Sequence, residues 1–439
     1  PFWLMAGYGQ TGALLCDRIG RRGQRMVVLD KRETEIFELE LRDHGSTVPA
    51  LLADARNADA LMWAGLSHPA LVGVLALTSD DATNLAVAAA AKVINPAAPV
   101  YCRLETPAIA ESAVALGADV IINPFSAFSE ELRLLLTAPD AQTLFTQLAP
   151  SHVSARLTRR LCRDGAWIIC GYGRFGRLVG QVLTDAGRRF STIDPGQDNA
   201  TPGIDSTVWE RELSALQSAH LAEAAAIVVA TGDDSRNLAI VALARHINPE
   251  IFVILRQNDD DSAALFHALQ PDMLMVHSRM VARQCLAQMI SPLLPPFLAG
   301  LHRLPAADIS RLLAGIGAQM ASIRAVSIDP ATTPALSARL ARTDGRQALT
   351  PLLHDNRDRH ERLNLQVLAL ARAGLLTLAP DDRQLTVQAD DVLLLAGSPA
   401  ALDRLALTLA DEPALAYVLD GVNRPDGLIW RMLAARRQP

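Results

Sequence analysis

Gly7-Tyr8-Gly9-Gln10-Thr11-Gly12 stands close to the start of the chain, between an apolar run, Phe2-Trp3-Leu4-Met5-Ala6, and a helix-like stretch, Ala13-Leu14-Leu15-Cys16. The same turn returns as Gly171-Tyr172-Gly173-Arg174-Phe175-Gly176, after Trp167-Ile168-Ile169-Cys170 and before Arg177-Leu178-Val179-Gly180. Strand, glycine turn and helix is the setting in which this spacing forms a dinucleotide fingerprint. The first two glycines allow a tight turn and bring amides at a helix N-terminus close to a pyrophosphate, and the third lets helix and strand pack together. A second apolar strand follows in each copy, Met26-Val27-Val28-Leu29 and Phe190-Ser191-Thr192-Ile193, and ends on an acid, Asp30 or Asp194. Both acids lie twenty-three residues after the first glycine, where a carboxylate accepts hydrogen bonds from a ribose diol. Lys31 and Arg32 follow the first acid and could meet a 2′-phosphate, but Asp30 repels one, so NAD is expected over NADP.

Working outward, the first copy continues as alternating segments: a helix from Glu33 to His44, a strand over Val48 to Leu52 leading into Ala53-Asp54-Ala55, a helix through Leu61 to Ala64, and a strand from Val72 to Leu77. Thr78-Ser79-Asp80-Asp81-Ala82-Thr83-Asn84-Leu85 then places small and acidic residues ahead of an alanine-rich helix, as an N-cap requires. Asn95-Pro96 stops that helix, Val100-Tyr101-Cys102-Arg103 forms a fifth strand, and Val120-Ile121-Ile122-Asn123-Pro124 closes the unit. Strands alternating with helices at these lengths predict a doubly wound parallel sheet.

The second copy repeats this residue by residue. Thr231-Gly232-Asp233-Asp234-Ser235-Arg236-Asn237-Leu238, Asn248-Pro249 and Arg256 each lie 153 positions after their counterparts, whereas the glycine turns are 164 apart. A constant offset over several landmarks is an internal duplication. The second copy is eleven residues shorter between Asp194 and Thr231, with Pro195 to Gly203 expected as a loop. At the shared offset Asp54 faces Thr207, not an acid, so the second site is expected to differ in ligand, to be empty, or to keep the fold for packing alone.

The expected organisation is a first Rossmann lobe over residues 1–125, a helical crossover over 126–163, a second, shortened Rossmann lobe over 164–289, a helical linker over 290–322, a small α+β module over 323–411 and a tail over 412–439. The crossover carries apolar helical spacing (Leu132, Leu135, Leu136; Leu144, Leu148) that needs a partner surface. A chain of 439 residues holds two to four domains, and 50% hydrophobic with 4% aromatic residues is an ordinary α/β composition. The net charge of −6 argues against a nucleic-acid surface. Five cysteines, Cys16, Cys102, Cys162, Cys170 and Cys285, show no C-x-x-C spacing and read as reduced, buried thiols of a cytosolic protein. No apolar run is long enough to span a bilayer and no signal peptide is present. Because Pro1 leads directly into a strand without a Met, the chain is expected to be a processed or excised piece.

The glycine turns, the Thr-x-Asp-Asp-x-x-Asn-Leu helix start, the Asn-Pro, the strand-end Arg and Gly117-Ala118-Asp119-Val120-Ile121-Ile122-Asn123-Pro124 together resemble the RCK (Trk-type, NAD-binding) domains that regulate potassium channels and transporters. The resemblance covers both copies; the stretch from Leu376 to Gly397 is similar to the family's C-terminal lobe. Departures are the shortened second copy and Val276-His277 where the first has Asn123-Pro124. The family implies a ligand-sensing, non-enzymatic module at the cytoplasmic face of the membrane. It also implies homo-oligomers, a dimer of the chain or a tetrameric ring, acting on a potassium pore fused upstream or supplied by another chain. NAD or NADH is the implied ligand, with ADP and ATP as alternatives. Carried over by position, Gly7, Tyr8, Gly9, Gln10, Thr11 and Gly12 would face the phosphates, Asp30 with Lys31 and Arg32 the ribose, and Asp54 with Ala55 the adenine end. Thr78, Ser79, Asp80 and Arg103 would line the distal half. Gly171, Tyr172, Gly173, Arg174, Phe175, Gly176, Asp194, Thr231, Gly232, Asp233 and Arg256 take the matching places in the second copy, with Arg174 better suited than Gln10 to a phosphate.

Two rivals stand beside a tandem channel-gating module: a soluble Trk-type uptake subunit of the same family, and an NAD-dependent oxidoreductase. The second lacks a substrate domain with a general acid or base. No Gly-x-x-x-x-Gly-Lys-Ser/Thr loop supports hydrolysis of a triphosphate. His354 to Glu361 holds metal-binding residue types, but interleaved arginines oppose a cation, and no metal site is expected there.

Overall fold

The computed structural model describes residues 1–45, 47–148, 165–194, 206–207, 216, 219–316, 322–378 and 383–422. Two units divide the chain, one of residues 1–136 with 154–286, the other of 137–153 with 287–439.

In the first unit, strands β1 (Phe2–Ala6), β2 (Arg25–Asp30), β3 (Ala50–Leu52), β4 (Leu71–Ala76), β5 (Val100–Arg103) and β6 (Val120–Ile122) form a sheet of order β3-β2-β1-β4-β5-β6. Every pairing is parallel. Strands β7 (Trp167–Cys170), β8 (Phe190–Ile193), β9 (Ser206–Thr207), β10 (Ala226–Val229), β11 (Phe252–Gln257) and β12 (Met273–Val276) repeat that order. The order reverses direction at β1 and at β7, which puts each glycine turn at the switch point where such sheets take ligands. Near-continuous Val, Ile, Leu and Ala in the central strands is what burial on both faces demands, and Leu4, Met5, Val28, Leu75, Ile168, Ile227 and Val253 are fully buried.

Sheet register revises one sequence-level equivalence. Leu29 pairs with Leu51, and its counterpart Ile193 pairs with Thr207. Thr207 therefore matches Leu51, not Asp54, and the counterpart of Asp54 lies outside the described residues. The shared offset failed there because the deletion is split on either side of β9, a strand of two residues. The Pro195–Gly203 loop expectation also lies outside the described residues, as do residues 149–163 of the crossover and Cys162. The other four cysteines are free and buried.

The two lobes of this unit pack through the helix Pro124–Thr137, which leaves β6 of the first lobe. Its Phe128 meets Phe175 of the second glycine turn edge-on at 5.3 Å, and Phe125 stacks on the same ring at 5.7 Å. At its rim Arg133 pairs with Asp185 at 2.8 Å, and the nearly buried Glu131 pairs with Arg283 at 2.7 Å.

The second unit holds an antiparallel sheet of order β13-β18-β15-β16, from β13 (Ser322–Ser327), β15 (Leu365–Arg372), β16 (Leu375–Leu378) and β18 (Val392–Gly397). A two-stranded ribbon of β14 (Gln347–Ala348) and β17 (Thr386–Val387) accompanies it. Leu336, Leu349, Leu363, Val367, Leu393, Leu402 and Leu415 build its core. The last of these belongs to the helix Glu412–Asp420, capped by Asp411. The stretch expected as a tail thus begins as a packed helix. His354 to Glu361 is a turn region in which Asp355, buried, pairs with Arg404.

Candidate nucleotide-binding site

Each glycine turn is held by the same three bonds. Gly7 N–H donates to Leu29 O at 2.8 Å, Leu77 N–H to Ala6 O at 2.9 Å, and Tyr8 N–H to Asp30 Oδ2 at 2.9 Å. In the second copy Gly171 donates to Ile193 O, Ala230 to Cys170 O, and Tyr172 to Asp194 Oδ2 at 2.9 Å. Gly7 has φ +98°, and a Cβ there would lie 2.9 Å from Thr78 N, so only glycine fits. Gly9 precedes the helix Gln10–Gly20 without a side-chain cap, which leaves its first amides for a ligand. Tyr8 points away from the opening: its buried hydroxyl bonds His44 Nε2 at 3.1 Å.

The Thr-x-Asp-Asp-x-x-Asn motif is a strand-end clasp. Asn84, fully buried, accepts from Thr78 N–H at 2.9 Å and Thr78 Oγ1 at 2.7 Å, and donates to Thr78 O and Arg103 O at 2.9 and 2.8 Å. Asn237 repeats all four bonds with Thr231 and Arg256. Asp80 caps the helix Asp81–Ile94, as Asp233 caps its equivalent. Asp54 is gripped by Arg56 through bonds of 3.1 and 2.6 Å, which hold its carboxyl down at about 2.

These elements enclose a cavity of about 810 Å³. It brings together Gly7, Gly9, Gln10, Thr11, Gly12, Asp30, Lys31, Arg32, Asp54, Ala55, Thr78, Ser79, Asp80 and Arg103, every first-copy candidate except Tyr8. The far wall belongs to the second lobe: Arg174, Arg256, Asn258 to Asp261, His277 and Ser278. Arg174 and Arg256, assigned by position to the second copy's own cleft, thus line the cavity of the first. Gly171, Tyr172, Gly173, Phe175, Gly176, Asp194, Thr231, Gly232 and Asp233 do not line it.

At the seam sits Glu105, which sequence reading passed over. Its side chain is 9% exposed and meets Arg103 at 2.6 Å, Arg174 at 3.2 Å and His277 Nε2 at 3.5 Å. Burial alone would push its carboxyl up, but hydrogen bonds from His277 and Arg103 outweigh that and hold it down at about 2. Burial lowers the His277 pKa against the pull of Glu105. Phe125 supports the cluster, its ring edge-on to His277 at 4.6 Å and faced by Arg256 and Arg174 at 5.2 and 5.8 Å. Across the opening Gln10 Nε2 donates to Asp259 Oδ1 at 2.5 Å. The available signal for Glu105 was its place two residues beyond the strand-end Arg103; His277 was visible only as a departure from Asn-Pro.

The TrkA-N domain model matches residues 3–124 and again 167–276, together more than half of the chain. The chain belongs to the TrkA-N family. Its two TrkA-N lobes are followed in the chain by the antiparallel lobe. A Trk system potassium uptake protein TrkA homolog of Pyrococcus abyssi is 30% identical over 109 residues, 24% of this chain and 48% of that protein. Potassium channel protein 1 of Methanocaldococcus jannaschii is 21% identical over 190 residues, 43% of this chain and 53% of that protein. The chain thus spans about half the length of the curated relatives it matches. A solved structure of the GsuK channel bound to NAD shares the fold, with a TM-score of 0.53 at 14% identity over 93% of this chain and 78% of that one. Among the described residues no single helix is long and apolar enough to cross a membrane.

Proposed function

We propose that the first TrkA-N lobe binds an adenine nucleotide, NAD or NADH foremost and ADP or ATP as alternatives, and that occupancy regulates potassium flux through a membrane pore. The observation that carries this is the composition of the cavity wall. A ligand lying along Gly7, Asp30 and Thr78 in one lobe also meets Arg174, Arg256 and His277 from the other. Binding is then sensitive to how the lobes pack, and a ligand shifts a conformational equilibrium by no more than its difference in affinity for the two arrangements. The amides of the glycine turn supply the phosphate site, and the arginines at the seam add positive charge beyond it.

In this reading the protein is a sensor and not a catalyst, assembled as homo-oligomers on the cytoplasmic side of a potassium pore that is part of the same polypeptide or of another. The names of the relatives, a potassium uptake protein and a potassium channel, support the pore, and the NAD-bound channel of like fold supports the ligand. Calorimetric titration with NAD, NADH, ATP and ADP, repeated on Asp30→Ala and Asp194→Ala, tests it. Loss of binding in Asp30→Ala alone assigns the site to the first lobe; two transitions lost separately make both lobes sensors. If none of the four nucleotides binds, the ligand-sensing reading fails.

A further inference from the structure

Beside the ribose position the cavity carries more acid than the fingerprint requires. Arg32 stands beside that place: its backbone N–H donates to Asp30 Oδ1 at 2.9 Å. Its guanidinium is nevertheless engaged, with Nη1 2.9 Å from Glu35 Oε1 and Nε 3.6 Å from Asp30 Oδ1. Nη2 lies over the glycine turn, 3.5 Å from where a Cβ on Gly9 would stand. Glu35 follows Arg32 by three residues, the spacing at which side chains meet on one helix face. Its side chain is 17% exposed, and Glu35, Glu38 and Arg42 all line the cavity. Burial raises the Glu35 pKa; Arg32 and, less strongly, Arg42 oppose this, and Asp30 and Glu38 add to it. Of the further cations, Lys31 acts on Asp54 and Arg42 pairs with Glu38 at 3.4 Å.

Resting on the reading of this cavity as an adenosine site, we propose that Glu35 is a specificity-determining residue, which holds Arg32 away from the ribose 2′ position and so excludes 2′-phosphorylated nucleotides. A free diol needs an acceptor, and Asp30 supplies it. A 2′-phosphate there meets two carboxylates and an arginine already ion-paired to both. Asp30 alone would leave Arg32 free to compensate it; Glu35 removes that compensation.

The test uses the full chain, with adenosine 5′-monophosphate and adenosine 2′,5′-bisphosphate as calorimetric probes, on wild type, Glu35→Gln, Arg32→Ala and the double variant. Wild type favours the monophosphate. Glu35→Gln narrows that preference about tenfold, the order expected for one freed charge-assisted hydrogen bond, by tightening the bisphosphate and leaving the monophosphate within about twofold. Adding Arg32→Ala cancels the gain. An unchanged ratio in Glu35→Gln, or a gain that survives without Arg32, overturns the role of Glu35 while monophosphate binding stands. Failure of wild type to bind either probe overturns the adenosine reading itself, and this proposal with it.

Discussion

The guanidinium of Arg174 lies 3.2 Å from the carboxylate of Glu105, joining the glycine turn of the second lobe to the strand end of the first. Its near-mirror is Gln10, at the same position of the first turn, which reaches Asp259 beyond β11 of the second lobe. The fourth residue of each glycine turn therefore ties its own lobe to the opposite one.

Glu105→Gln is expected to destabilise the first unit by about 3 kcal/mol at neutral pH, because Arg103 keeps its burial and loses its charged partner. The folded-state pKa of Glu105 is depressed to about 2. Its stabilisation is therefore present above the unfolded value of 4.5 and is lost as pH falls from there through about 2. Denaturation curves of wild type and variant should converge across that window; a constant gap would rule the carboxylate out as the cause.

Asn84→Ala removes four hydrogen bonds at once and strands Thr78 N–H, Thr78 O and Arg103 O in the interior. A loss of about 2–4 kcal/mol is expected from unmet buried groups, together with weaker nucleotide binding, since Thr78 is no longer held against Gly7. Asn237→Ala should cost as much stability. Chemical denaturation and calorimetry on both variants check the pair.

Gly7→Ala forces a Cβ to within 2.9 Å of the Thr78 backbone at φ +98°, and strain of about 1–3 kcal/mol follows. Gly23, also at positive φ but with open space around it, should show the smaller drop in melting temperature on the same substitution.

Arg56 keeps Asp54 ionised well below the usual carboxylate range. In Arg56→Ala the Asp54 titration, followed by NMR of its side chain, is expected to move up toward 3.8, its unperturbed value. No movement would mean that the backbone bond from Arg56 N–H alone sets the value.

The parallel order of both sheets was legible because glycine spacing, strand alternation and strand-end acids are local signals that each copy states separately. Asp30 and Asp194 could be placed by counting, since a strand and a helix of standard length separate them from their turns. Asn84 was legible as part of a motif but not as a clasp, because its bonds reach Thr78 and Arg103 on two different strands. Thr207 was matched to the wrong position, since offset counting cannot see a deletion split by a two-residue strand; only pairing with Ile193 revealed it.

By itself the sequence determined two Rossmann lobes, their glycine turns and the strand-end acid of each, all consequences of short-range geometry. Only the tertiary structure decided that one cavity takes its walls from both lobes. The packing of Phe125 and Phe128 on Phe175 brings residues more than a hundred positions apart to one seam, and no local pattern encodes which charges will meet there.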